Sequence, residues 1–474
     1  MEPLPEVVRV LGMKTRKRAP FIVALATTVA LFAAACADGG TAADLTPAPP
    51  ETEYPVDPTE VPAPSDDTVT ITWWHNGSGE PLYSFWHSVA DSFMEANPGV
   101  YVEITVFSGE DLRSTDLPWA WAAGNPPDVF QSWGGAELRS WFQAGYLKDV
   151  SDFLPAPVLG AAESFRIGDG IFGVPYTALP SGFWVNMNLW EQAGLTEADF
   201  PVTLDDLFDA WDALKEAGIT PVAVGGADGW PAAHWWYWTA LRSVSPTAMQ
   251  SAIMYHDFSD QGWLDTSDLL QTILDRNAFN ADWQETHAQM GLDSASAQVV
   301  LGQAAMQLMG TWDFGVMGGI YAEANDVSLD ALNHIEFTRW FHEDIGFIRW
   351  FPFPAVTGAA GDPTAIMGGI DGFSVSANAP VEAAKFLAYI VSTDVQTRYA
   401  AMGNIPVNPG ATHAMPSGPL DDAAVAVANA SSVHLWLDTV FAPAPAPIHD
   451  PITAFMKGET DAQGLVDALV ALFG

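Results

Sequence analysis

With one cysteine, Cys36, in 474 residues, the chain can form no intrachain disulfide. Basic residues are scarce too, 17 Lys and Arg against 58 Asp and Glu. Residues 1–36 hold five of the basic and two of the acidic residues, so the chain beyond them carries −44. Such a surface repels phosphate backbones and anionic lipid, which excludes nucleic acid as a partner. Beyond an apolar stretch near the N-terminus, no run reaches the roughly 18 uninterrupted apolar residues of a membrane span. Catalytic signatures are missing as well: no HExxH, no CxxC, no GxxxxGK phosphate loop and no GxSxG nucleophile turn. The consecutive His342, Glu343 and Asp344 cannot all face one ion on a regular element, and read as a solvated turn. No metal or cofactor is expected.

What is present begins with an export signal. From Met13 the chain has a basic start (Lys14, Arg16, Lys17, Arg18), an apolar stretch Phe21–Leu31, and Ala33-Ala34-Ala35-Cys36. Met13 makes a cleaner start than Met1, and residues 1–35 are expected to be the signal peptide. A cysteine at the cut resembles the bacterial lipoprotein signal, which implies a lipid on Cys36 and an extracytoplasmic, membrane-tethered protein. Residues 36–67 are rich in Pro, Thr, Ala and acids and poor in large apolar groups. They cannot bury enough surface to offset ordering, and their prolines favour an extended spacer.

Residues 68–474 are too many for one ordinary core and suggest two lobes. Hydrophobic content of 49% and 20 tryptophans mark a globular chain with an unusual aromatic supply. Val69–Trp73 alternates as a strand, a helical stripe from Phe85 to Met94 stops at Asn97-Pro98-Gly99, and Val100–Val106 alternates again. That is a βαβ unit. Further elements are helix 117–124, strand 128–131, helix 137–144, strand 183–186, helix 204–217 and strand 220–224. Helices over 294–309, 381–391, 393–402 and 461–473 follow. Thr203 and Asp206 form a capping pair. The fold class is α/β with open parallel sheets, where ligands bind at the carboxyl ends of strands.

Four aromatic-and-polar loops fall at such ends: Trp73–Glu80, Gln131–Gly135, Gly225–Trp236 and Gly368–Gly372. The first three mix flat rings with side chains that make paired hydrogen bonds, and the fourth carries Asp371. Sugars fit that combination, since a pyranose has one C–H-rich face for a ring and hydroxyls that need directed partners. Any single tryptophan is more often core; flanking glycines and position after a strand mark Trp74, Trp133 and Trp230.

Several stretches, taken in order, resemble the family-1 extracellular solute-binding proteins that deliver sugars to ABC importers, above all the glucose-type branch. They are TWWHNGSGEP, AGNPPDVFQSW, GIFGVPYT, NMNLWEQAGL with its TLDDL helix, LGQAAMQLMGTWDFG, and the segment from Ile370 through GNIPVNP. The resemblance implies a two-lobed periplasmic-binding-protein fold of type II with a hinge, no enzymatic activity, a sugar ligand, ABC permease subunits as partners, and a monomer. It places Trp74, Glu80, Gln131 and Trp133 on one side of the cleft and Trp230 and His234 on the other. Trp312 and Asp313 follow the LGQAAMQLMG segment, Asp371 lies at a lobe crossing, and Asn404 lies in GNIPVNP. Lobe I is expected to be 68–177 plus 345–377, and lobe II 178–344 plus 378–474. Two other classes share the aromatic subsites: a membrane-anchored glycoside hydrolase with a carboxylate pair, and a sugar-sensing lobe of a receptor.

Overall fold

The computed structural model describes residues 68–79, 81–107, 111–289, 291–327, 343–415, 418–441 and 448–473. The expected signal and tether, Cys36 among them, and also Glu80 and His342, lie outside the described residues. No described helix is long and apolar enough to cross a membrane.

The described strands are β1 Val69–His75, β2 Val100–Val106, β3 Val129–Ser132, β4 Arg166–Ile167, β5 Gly170–Ile171, β6 Val174–Asn186, β7 Thr220–Val222, β8 Ala304–Gly310, β9 Ile348–Phe351, β10 Ile366–Val375 and β11 Val433–His434. β4 and β5 form a small hairpin. The others make one sheet in the order β2-β1-β3-β10-β6-β8-β7, with β9 beside β6 and β11 beside β10. The sheet is mixed, not parallel as expected. β1 pairs parallel with β2 and β3, and β7 with β8. β10 runs antiparallel to β3 and β6, and β6 antiparallel to β8. The reversal arises because the chain leaves one lobe along β6 and returns along β10.

Two hydrophobic cores flank these crossing strands. In the first, Trp73 is fully buried and meets Trp86, Phe373 and Phe386 edge-on at 5.5, 5.3 and 5.0 Å. Those are favourable quadrupole geometries. Helices Val381–Ile390 and Thr393–Ala401 pack into this core. The second core gathers around Phe183, Trp211 and Trp235, with Phe351, Phe353 and the C-terminal Leu465 and Leu469. A smaller cluster around Trp184, Phe314 and Trp350 adjoins it. Two segments of the C-terminal half fall in the lobe opposite to the one expected, while its last helices lie in the second lobe. The 345–353 segment belongs to the second lobe because β9 pairs with β6 from Phe183 to Asn186. Residues 379–407 belong to the first because Phe386, Val395 and Tyr399 complete the core beneath Trp73.

Most helices stand where periodicity puts them, and Thr203 and Asp206 form a reciprocal capping box on helix Leu204–Glu216. The expected helix 294–309 is instead a short helix, Ala295–Val300, followed by β8. Every residue of β8 is buried, and a strand covered on both faces reads as a continuous apolar run that periodicity cannot tell from a helix. Trp73→Ala should lower unfolding stability by about 3–5 kcal/mol, the range for emptying a buried aromatic site. Urea unfolding followed by circular dichroism measures the loss.

Candidate functional site

Gly368–Gly372 is not a loop but the middle of β10. Glycine is required there by close approach. A Cβ on Gly368 would lie 2.5 Å from the Leu179 carbonyl oxygen, and one on Gly372 would lie 2.6 Å from that of Val174, both on β6. A Cβ on Gly369 would fall 2.1 Å from the ring of Trp436. Trp436 therefore lies directly on the crossing strand. Its indole N–H donates to the Ser181 hydroxyl at 3.3 Å, on the neighbouring β6.

Asp371, two residues from Gly369, is on the same face of β10, since strand side chains alternate with period two. Its carboxylate accepts from the Tyr176 hydroxyl at 3.4 Å and from the indole N–H of Trp133. Burial pushes the Asp371 carboxyl up to about 7, against the opposing effects of the Tyr176 and Trp133 hydrogen bonds and the Arg113 charge. Trp133, 8% exposed in the first core, and the half-buried Trp436 thus approach one short stretch of strand at residues roughly 7 Å apart along its axis. In register with this stretch, Gln131 and Ser132 of β3 sit opposite Phe373 and Gly372. Gln131 is fully buried, and neither end of its amide makes a well-formed hydrogen bond, although it lies toward the Tyr176 hydroxyl.

On the second lobe the rings continue. Trp312 folds over Gly310 at the end of β8, where a Cβ would meet its ring at 1.7 Å. It meets Trp436 edge-on at 5.3 Å and Trp230 at 6.1 Å. Trp230, Trp312 and Trp436 are all half-buried. Helix Trp230–Ser243 brings His234 behind them, stacked on Trp436 at 5.5 Å with 18° between the planes. His234 is 4% exposed, and burial lowers its pKa to about 4, so the ring is neutral at pH 7. It backs Trp436 and holds an unpartnered Nδ1.

The structure therefore gathers Gln131, Trp133, Asp371, Trp230, His234 and Trp312 around the crossing strands. Trp74 stands apart: half-buried on β1, it packs on Phe107 at 4.8 Å. Asn404 lies on the return loop, where its Nδ2 donates to the Tyr399 carbonyl at 3.4 Å. Asp313 is corrected outright as a cleft residue. It has no exposed surface, and its carboxylate accepts from Gln289 at 2.6 Å, from Ser296 at 2.7 Å and from Gln307. It is a buried node tying β8 to helix Asp313–Ala324. Tyr176, Ser181, Arg113 and Trp436 were not foreseen. Trp436 sits among Leu435 and Leu437 with no turn residue beside it; the distant Gly369 was its only mark in the sequence.

Among the described residues no cluster of three His, Cys, Asp or Glu side chains could hold a metal. The raised carboxyl of Asp371 keeps its proton in the fold across a range where the unfolded chain has released it. It therefore subtracts stability progressively from about pH 4 to about pH 7. Asp371→Asn should gain stability relative to wild type through that window, with the difference levelling off above it. Urea midpoints measured at pH 4, 5.5 and 7.5 check the sign.

A model of the bacterial extracellular solute-binding proteins matches residues 76–397. An uncharacterized ABC transporter extracellular-binding protein of Pyrococcus horikoshii is 28% identical over 254 residues, covering 51% of this chain and 55% of its own. The multiple sugar-binding protein of Streptococcus mutans is 25% identical over 208 residues, covering 43% and 47%. The chain spans about half the length of these relatives. Among solved structures, a chitin oligosaccharide binding protein superposes with a TM-score of 0.71 at 22% identity, covering 86% of this chain and 98% of its own. RafE in complex with raffinose gives 0.66 at 20% identity, covering 86% and 99%. The match over most of its folded length places this chain in the bacterial extracellular solute-binding protein family.

Proposed function

We propose that the protein captures a mono- or oligosaccharide between its lobes and delivers it to the permease subunits of an ABC importer. One observation carries the reading. Rings from opposite lobes, Trp133 and Trp436, flank a single crossing strand that presents Asp371 between them. A sugar seated there stacks its C–H faces on indoles while Asp371 and the buried, unpartnered amide of Gln131 take its hydroxyls. Relatives described as sugar-binding, and neighbours described with raffinose and chitin oligosaccharide, support the same ligand class. Contact with both lobes favours the closed form, by no more than the ligand's difference in affinity for the two forms. Trp74 and Asn404 stay in the proposed ligand set, as does Glu80, which lies outside the described residues, and the protein acts as a monomer without a cofactor. A lipid on Cys36 holds it outside the cytoplasm at the membrane.

Thermal shift against a panel of mono- and oligosaccharides should find a strong stabiliser, since ligand at about a hundred times its Kd adds roughly 2.7 kcal/mol. Steady release of product from any panel member would contradict the reading in favour of a hydrolase. With the stabilising sugar at about pH 8.5, above the raised Asp371 pKa, Asp371→Ala should weaken binding by about 1.5–3 kcal/mol, roughly ten- to a hundredfold, as expected for losing hydrogen bonds to a charged group. Calorimetry reads the change.

Cys36→Ser should move the protein from the membrane to the soluble fraction, because a serine cannot carry the thioether lipid. Equal membrane recovery of mutant and wild type would remove the anchor from the account.

A further inference from the structure

The lobes meet at a second place beside the crossing strands. Helix Leu437–Phe441 is built into the second core through Leu437 and Phe441. Helix Gly135–Gln143 is built into the first through Leu138 and Trp141. The two helices dock through Gly135, whose φ is +62°; a Cβ there would lie 2.3 Å from the Thr439 carbonyl oxygen. Arg139 Nη2 donates to the Val440 carbonyl at 3.2 Å in the same contact.

At its edge Arg113, on the helical turn Leu112–Asp116, joins three groups among the described residues. Its Nε lies 3.2 Å from Glu137 Oε2, within its own lobe. Its Nη1 lies 3.8 Å from Asp438 Oδ2, across the lobe boundary. Its guanidinium carbon sits 5.5 Å from the centroid of Trp133. The side chains of Arg113, Glu137 and Asp438 are 12%, 3% and 10% exposed, so water screens these charges little. Asp438 is charged: burial pushes its carboxyl up, but the His449 imidazole 3.4 Å away and the Arg113 charge help hold it down to about 2.

We propose that Arg113 is a positioning residue that makes the seating of Trp133 in the first lobe depend on contact with Asp438 in the second. A planar fork of five N–H donors can hold Glu137 with one edge while the other reaches Asp438, and its flat face covers an indole. With Asp438 in place the guanidinium is fixed from two sides, and Trp133 with it, its N–H held toward Asp371. When the lobes separate, Arg113 loses the Asp438 carboxylate and the ring loses a fixed backing. Two elements that both touch one discrete arrangement are coupled by it. The ligand ring of one lobe is thus completed by the approach of the other, ahead of any direct contact between sugar and Asp438.

The proposal rests on reading Trp133 as a ring of the ligand site, but its test needs no ligand, so failure to find a sugar leaves it standing. The mature chain is labelled with 5-fluorotryptophan, and the Trp133 resonance is assigned with Trp133→Phe. Asp438→Asn, nearly isosteric and on the opposite lobe, should move that resonance. Asp438→Glu should return it toward wild type, and Asp212→Asn, an equal charge change at an exposed position of helix Leu204–Glu216, should leave it in place. A second route uses spin labels at the exposed positions Glu95→Cys and Asp205→Cys, one in each lobe, in a Cys36→Ser background. Arg113→Lys keeps the charge and removes the fork, and should broaden the interlobe distance distribution of the ligand-free protein. An unmoved Trp133 resonance in folded Asp438→Asn overturns the proposal, as does an unchanged distance distribution in Arg113→Lys.

Discussion

The pairing of β6 with β10 is the constraint on which the rest depends. The two strands run side by side from Val174–Phe373 to Pro180–Gly368 as the chain passes between lobes. Their approach leaves no room for a Cβ at Gly368 or Gly372, and Gly182 on β6 lies beneath the Trp350 ring with the same result. Both lobes therefore share one sheet, and any movement between them has to twist these strands. A side chain on them, Asp371 above all, belongs to neither lobe alone. That is the physical reason the proposed site at the crossing would report closure.

The aromatic supply divides between two tasks according to which way each ring faces. Trp235, Trp236 and Trp238 on helix Trp230–Ser243 are fully buried and hold the second core, while Trp230 at its first turn stays half-buried beside Trp312. A ring in a packed core stabilises the fold; one left half-open on a rigid element offers a flat surface at little cost in ordering. His234, kept neutral by burial, adds a third aromatic layer behind Trp436 without placing a cation in the cleft.

Much of this was legible in the sequence, for identifiable reasons. Helices with a polar face and a cap, such as Leu204–Glu216, declare themselves through periodicity and the Thr203–Asp206 pair. β8 does not, because burial on both faces erases the alternation. The glycines at 368, 369 and 372 read as a turn when their role is close approach inside a strand, a distinction that needs the partner's position. Gln131, Trp133 and Asp371 were singled out because they follow or lie on strands close to glycine. Trp436 was missed because Gly369 and Ser181, which make it part of the site, are 60 or more positions away, and Arg113 because its partner Asp438 comes from the other lobe. Asp313, adjacent to Trp312, was misread because one residue along a helix start turns a side chain from the cleft into the core.

The central claim is that a sugar held between Trp133 and Trp436 draws the lobes together. Small-angle X-ray scattering tests it most directly, on the Cys36→Ser chain with and without a saturating concentration of the sugar that stabilises it most. The account predicts a smaller radius of gyration with sugar, and no such contraction when Asp371→Ala is mixed with sugar at a concentration that saturates only the wild type. A bound sugar that leaves the radius of gyration unchanged in the wild type would contradict it.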